Sequence, residues 1–181
     1  MDLRKTINLI EQKSKKTLEL AKLPYSKSAL SPVLSQSNLD IHFSGLAKGY
    51  VDRYNKGEGD PAFNEAGAYL HNLYFAQFKS PKNVNRPHGL SLSLIERKYG
   101  SFDKFKEEFT KQAMSLQGSN WIYMSRSGEI KTIKNHAIRN DIALLVDWWE
   151  HAWFTDYGSN KSKYLNNIWR IINWDAINSR L

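Results

Sequence analysis

After Ser115 the hydrophobic pattern of this chain changes its period, so one molecule must accommodate both helices and a sheet. Before that point apolar residues recur at the three- and four-residue spacing of helices packed on a core. Asn38 to Tyr54 and Ala62 to Phe78 read this way, with Lys56-Gly57-Glu58-Gly59-Asp60-Pro61 as the turn between them. Leu90 to Tyr99 and Ser101 to Ser115 read as two more helices parted by Gly100, and Phe102, Phe105, Phe109 and Ala113 share one face of the second. Beyond them, Trp121 to Met124, Glu129 to Ile133 and Ile142 to Val146 read as three strands, with Ser125-Arg126-Ser127-Gly128 turning the first into the second. A helix from about Lys163 to Asn178 closes the chain.

Upstream, Leu3, Ile7, Ile10, Leu18 and Ala21 recur near helical spacing, which predicts a helix over 3–22 that ends at Leu23-Pro24. Ser31-Pro32 predicts the start of another helix, with proline in its first turn. The polar segment from Lys82 to Gly89 separates two halves. The expectation is an α+β protein: a helical hairpin domain in 1–80 with an extra N-terminal helix, then an α/β domain in 90–181 with a three-stranded antiparallel sheet.

Composition narrows the chemistry. The chain has no cysteine, which excludes disulfides, thiolate catalysis, iron–sulfur clusters and thiolate zinc sites. A compact core is expected from 41% hydrophobic and 13% aromatic residues. No stretch approaches the roughly 20 apolar residues of a membrane span, and Asp2, Glu11 and Glu19 count against a targeting segment; the expectation is a cytoplasmic protein. A net charge of +8 suits nucleic acid, an acidic membrane or a small anion, or serves solubility alone, since the basic residues are scattered.

The run Asp147-Trp148-Trp149-Glu150-His151-Ala152 sets a carboxylate and an imidazole four residues apart. On a helix they would share one face, within reach of one metal ion. The strand over Ile142 to Val146 instead sets Asp147 at a strand end, where a chain leaving a sheet can aim a side chain into a cleft. His42 and His71 lie in helical stretches upstream and can complete a set of three imidazoles and one carboxylate, a set that suits iron, manganese or zinc rather than calcium.

Read in order, further segments form a pattern. They are Leu23-Pro24-Tyr25, Ala29-Leu30-Ser31-Pro32, Tyr50-Val51 after His42, Phe63-Asn64-Glu65-Ala66-Gly67 before His71, Tyr99-Gly100-Ser101-Phe102 and Gly118-Ser119-Asn120-Trp121. Asp156-Tyr157, Tyr164-Leu165 and Asn173-Trp174 follow the Asp147 run. This ordered set resembles the iron/manganese superoxide dismutase family over nearly all of the chain from Leu23 onward. The resemblance implies one iron or manganese ion per chain, held by His42, His71, Asp147 and His151 with a solvent molecule as fifth ligand. It implies superoxide as substrate, Tyr50 at the substrate entrance, Trp121 and Trp149 walling the cavity, and a homodimer in which Glu150 of one subunit meets His151 of the other.

Departures from the family pattern single out further residues. Gly67 stands where many iron enzymes carry a glutamine that hydrogen-bonds the bound solvent. Manganese enzymes have glycine there and supply a glutamine from the loop after the second strand, where this chain has His136. Leu46 and Phe154 replace a histidine and a tyrosine that pair across the dimer, so the usual polar gate is missing. The stretch between His42 and His71 is short, which trims the hairpin and favours a dimer over a tetramer. A second reading, a non-catalytic relative serving as a structural protein of a nucleoprotein assembly, suits the basic charge but gives no reason for all four ligands and Tyr50. An iron oxygenase using two histidines and a carboxylate would need coordination positions left open, one of which the third histidine fills. Neither a membrane nor a nucleic acid is expected as a partner.

Overall fold

The computed structural model describes residues 16–181. Helix α1 (Gln36–Ile41) runs through a π-helical stretch (His42–Ala47) into α2 (Lys48–Lys56). Gly57 ends α2 in the left-handed conformation. Asp60 then caps α3 (Pro61–Ala76) by accepting a hydrogen bond from the Phe63 N–H, with proline at the first helical position. Helices α4 (Gly89–Tyr99) and α5 (Phe102–Ser115) follow. Strands β1 (Asn120–Ser125), β2 (Ile130–Lys134) and β3 (Ile142–Asp147) form an antiparallel sheet in the order β2-β1-β3. Helix α6 (Glu150–Tyr157), helix α7 (Lys161–Ile168), a 3-10 turn (Trp169–Ile171) and helix α8 (Trp174–Asn178) complete the chain. The α+β expectation and the three-stranded sheet both hold.

The sheet is the wall against which the helices pack. Every residue of β1 and of β3 is buried. As an edge strand, β3 presents backbone groups that need partners. Gln77, itself fully buried, supplies them: its amide nitrogen donates to the Leu145 carbonyl and its oxygen accepts from the Leu145 N–H. The Arg180 guanidinium spans the same seam, donating to the carbonyls of Leu73 and Ala143 at 2.8 and 3.0 Å. The C-terminal end of α3 is thereby fixed to β3.

Three expectations need correction. The part of the predicted N-terminal helix that is described, residues 16–22, is not helical, and its remainder lies outside the described residues. Asn55 and Asn72 pair with the backbone of this segment: Leu18 N–H and Ala21 N–H donate to them, and they donate back to the carbonyls of Leu18 and Glu19. Leu18 and Leu20 pack on Tyr50, Val51 and Ala68, so tertiary contacts override the helical spacing. Ser31-Pro32 lies in consecutive turns and starts no helix. The helix begins at Gln36 because the Ser35 side chain accepts from the Asn38 N–H, while the Ser35 N–H is taken by Asp156. The predicted final helix is broken at Ile172. There Ile172 pairs with Phe78, the Asn173 N–H donates to the Gln77 carbonyl, and the Asn173 side chain caps α8.

Candidate metal centre

Four candidate ligands arrive from four places. His42 opens the π-helical stretch, His71 lies in α3, Asp147 ends β3 and His151 is the second residue of α6. One donor atom from each lies within 4.8 Å of the other three. Asp147 Oδ2 is the focus: it is 3.1 Å from His42 Nε2, 3.2 Å from His151 Nε2 and 3.8 Å from His71 Nε2. Metal–ligand bonds of about 2.0–2.2 Å set neighbouring donor atoms roughly 3 to 3.6 Å apart, so this spacing fits one ion. The side chains of His42, His71 and Asp147 are fully buried, and His151 keeps 18% of its surface.

Asp147 ends β3, as the strand reading expects, so it and His151 do not share the helical face that their spacing alone would suggest. Asp147 is still strand, and its Oδ1 accepts from the Trp149 N–H at 2.8 Å, which turns the chain. The helix starts at Glu150 and returns His151 to the carboxylate.

Each imidazole is set up to ligate. His71 Nδ1 donates to the Gly67 carbonyl at 2.7 Å, which leaves the Nε2 lone pair for the centre. Burial pushes both His42 and His71 below the usual histidine range, so both are neutral, the form that binds metal. Burial works against ionising Asp147, yet the close approach of His151 and His42 to its Oδ2 outweighs it and holds the carboxyl well below its ordinary range. Nε2 of His42 and Nε2 of His71 make no hydrogen bond among the described residues despite being buried. Such nitrogens are costly unless something takes their lone pairs, and a cation at their common focus would do so. A nitrogen–oxygen donor set without thiolate fits iron or manganese.

The wall is aromatic. Trp121 is fully buried and meets His71 edge-on at 5.1 Å. Tyr50 lies 5.3 Å from His71 and 4.8 Å from His136, with the Arg53 guanidinium over its ring at 4.8 Å. Burial raises the Tyr50 phenol, which keeps it protonated. His136 is a buried member of the wall, stacked on Trp149 at 4.6 Å and 13°. The Trp121 indole N–H donates to His136 Nδ1 at 3.1 Å. Burial pushes His136 down to about 4, so at neutral pH its ring is uncharged and carries its proton on Nε2. That nitrogen is buried and makes no hydrogen bond among the described residues.

The structure thus gathers His42, His71, Asp147, His151, Tyr50, His136, Gly67, Trp121 and Trp149 at one centre. Glu150 and Phe154 instead face outward, Phe154 with 53% of its surface exposed, and Leu46 is half-buried. Sequence reasoning overlooked Tyr74 and Phe75, whose rings pack on His42 at 5.5 and 4.9 Å. Their positions three and four residues after His71 on one helix were the available signal. Phe63, which entered the sequence pattern only as part of a motif, lies 4.6 Å from His136.

A fold that gathers three imidazoles and a carboxylate between a helical hairpin and a sheet defines a mononuclear metalloprotein. The description of iron/manganese superoxide dismutases, C-terminal domain, matches residues 87–180, and that of their alpha-hairpin domain matches residues 17–60. The iron superoxide dismutase of Bacteroides fragilis is 34% identical over 91% of this chain and all of its own length. That of Saccharolobus solfataricus is 36% identical over 92% of this chain and 94% of its own. The manganese/iron superoxide dismutase of Porphyromonas gingivalis is 35% identical over 91% of this chain and 99% of its own. The chain belongs to the iron/manganese superoxide dismutase family, an oxidoreductase family whose ion is iron or manganese. Among the described residues no helix is long and apolar enough to cross a membrane.

Proposed function

We propose that this chain dismutates superoxide at one iron or manganese ion held by His42, His71, Asp147 and His151. The observation that carries this reading is the convergence of four donor atoms, three of them on fully buried side chains, within 4.8 Å of one another in a chain of this family. When bound, the ion supplies a one-electron couple, so that one superoxide is oxidised to oxygen and the next, with two protons, is reduced to hydrogen peroxide. The residues supply the rest. Asp147 contributes the one negative charge among the four ligands. Trp121, Trp149 and Phe63 keep bulk water from the donor atoms. His136 Nε2 and the Tyr50 hydroxyl each hold a proton at the edge of the centre, where reduction to peroxide consumes protons. The net charge of +8 favours approach of an anion.

The same reading takes residues 1–80 as the hairpin unit and 90–181 as the α/β unit, with the ion at their junction and the protein acting in the cytoplasm. It takes the active form as a homodimer. The support is the outward-facing pair Glu150 and Phe154 beside His151, whose ring is still partly open. Glu150 would reach His151 of the other subunit, and Leu46 would meet Phe154 in an apolar contact where relatives place a polar gate.

Protein produced separately with iron and with manganese is expected to carry one ion per chain, to dismutate superoxide with at least one of them, and to measure as two chains by light scattering. No activity after reconstitution with either ion would overturn the reading, and a monomer would remove the dimer. His136→Gln replaces a ring N–H donor by an amide and is expected to shift the ratio of manganese- to iron-supported activity upward by about tenfold, the scale of changes beside metal ligands. An unchanged ratio removes the role given to His136.

A further inference from the structure

We propose that Tyr164, backed by Tyr74, is a positioning residue for Asp147; the proposal rests on the metal-binding reading above. The Tyr164 hydroxyl donates to the Asp147 backbone carbonyl at 3.1 Å. A phenol has one hydrogen to give, so the 2.9 Å contact between the two tyrosine hydroxyls must be a bond from Tyr74 to Tyr164. Both rings are fully buried.

The bond matters because of what it leaves free. Asp147 is paired with Trp121 in the sheet. Its Oδ1 is taken by the Trp149 N–H, and its carbonyl by Tyr164. Only Oδ2 is left, and it faces the three imidazoles. Fixing both the peptide plane and one carboxylate oxygen leaves the side chain little freedom to rotate its remaining donor away. Tyr74 extends the same restraint to two other ligands. It lies one turn beyond His71 in α3, and its ring packs on His42. The two hydroxyls therefore join the helix that carries His71 to the strand end that carries Asp147, at a corner where the chain is neither strand nor helix.

A residue that only stabilised the fold would lower the melting temperature without altering the bound ion. Tyr99 supplies that comparison, since its hydroxyl donates to the Gly128 carbonyl at 2.8 Å in the β1–β2 hairpin, outside the metal centre. Full-length protein loaded with iron or manganese is challenged with a chelator, and its visible absorption is recorded. Tyr164→Phe is expected to release the ion about tenfold faster than the unsubstituted protein and to shift the absorption of the bound ion. Tyr74→Phe, which keeps the bond to Asp147, is expected to fall between the two. Tyr99→Phe is expected to lower the melting temperature while leaving release rate and spectrum unchanged. Release at the unsubstituted rate from Tyr164→Phe, with an unchanged spectrum, overturns the proposal. If Tyr164→Phe does not fold, Tyr74→Phe decides: faster release supports the proposal and an unchanged rate overturns it. Failure of the unsubstituted protein to take up either ion would instead overturn the metal-binding reading itself.

Discussion

Asp147→Asn is expected to give a folded protein that retains almost no metal. The substitution keeps the shape of the side chain and removes one charge. In the protein that charge sits at the focus of the donor set, within 3.8 Å of all three imidazole nitrogens. It is the one anionic ligand, so its loss removes the strongest attraction for a cation in a water-excluded site. Residues that only support a ligand already alter metal affinity by about 10- to 100-fold, and loss of the charged ligand exceeds that range. The fold survives because the amide oxygen can still accept from the Trp149 N–H and the backbone carbonyl still accepts from Tyr164. A neutral amide is also less costly to bury than a carboxylate. The metal-free variant should therefore melt close to the metal-free parent, while the added stability that the ion gives the parent disappears. Elemental analysis and paired melting curves check both halves. A variant that still carries one ion per chain would refute the assignment of Asp147.

Gly67→Gln should be the second severe change, and its cause is steric. A Cβ on Gly67 would lie 2.8 Å from Cγ and Cδ1 of Tyr50 and 3.1 Å from its Cδ2. No side chain fits unless the Tyr50 ring moves. Replacing a mid-helix glycine gains about 1 kcal/mol of helix propensity, but overpacking a tight core costs about 1–3 kcal/mol. Stability is thus expected to fall slightly, while activity drops far more because Tyr50 leaves its place beside His71 and His136. A second substitution separates the two effects. Tyr50→Ala removes the obstructing ring, so Gly67→Gln should cost less stability in that background than in the parent. Equal costs in both backgrounds would show that the ring is not the obstacle. On this account the glutamine of many iron enzymes and the present Tyr50 position exclude one another, and the donor has to come from elsewhere. His136 is the residue placed to provide it.

Much of this was legible from the sequence, and the limits have physical causes. The candidate ligands could be chosen because residue type, order and surrounding motifs all pointed to the same four positions. The change from helical to strand period located β1, β2 and β3 because alternation and turn residues are local signals. Asp147 was legible as a strand end, but a spacing of four to His151 also suggests one helix, and the turn that brings His151 back to the carboxylate was not legible. That corner depends on the hydrogen bond from Trp149 to Asp147. Residues 16–22 carried a helical spacing that Asn55 and Asn72 override from sequence positions far away. The break at Ile172 likewise depends on Phe78 and Gln77, remote partners that no local pattern reveals. Tyr164 stood out as a motif residue, but its bond to a ligand's carbonyl emerges only once α7 packs beside the end of β3.

The π-helical stretch from His42 to Ala47 sets the angular phase of the hairpin. His42 and Tyr50 are eight positions apart, which in an uninterrupted α-helix leaves them roughly 80° apart around the axis. A π turn holds one extra residue and so takes back roughly 100°, bringing the two to within about 20°. Both then reach the same imidazole, with ring centres 5.0 and 5.3 Å from His71. Residues beyond Tyr50 are under no such constraint. The far end of the hairpin, at the turn from Gly57 to Pro61, can change in length without rotating either side chain away from the centre. Length and rotation are thereby uncoupled, and a family can vary one while keeping the other.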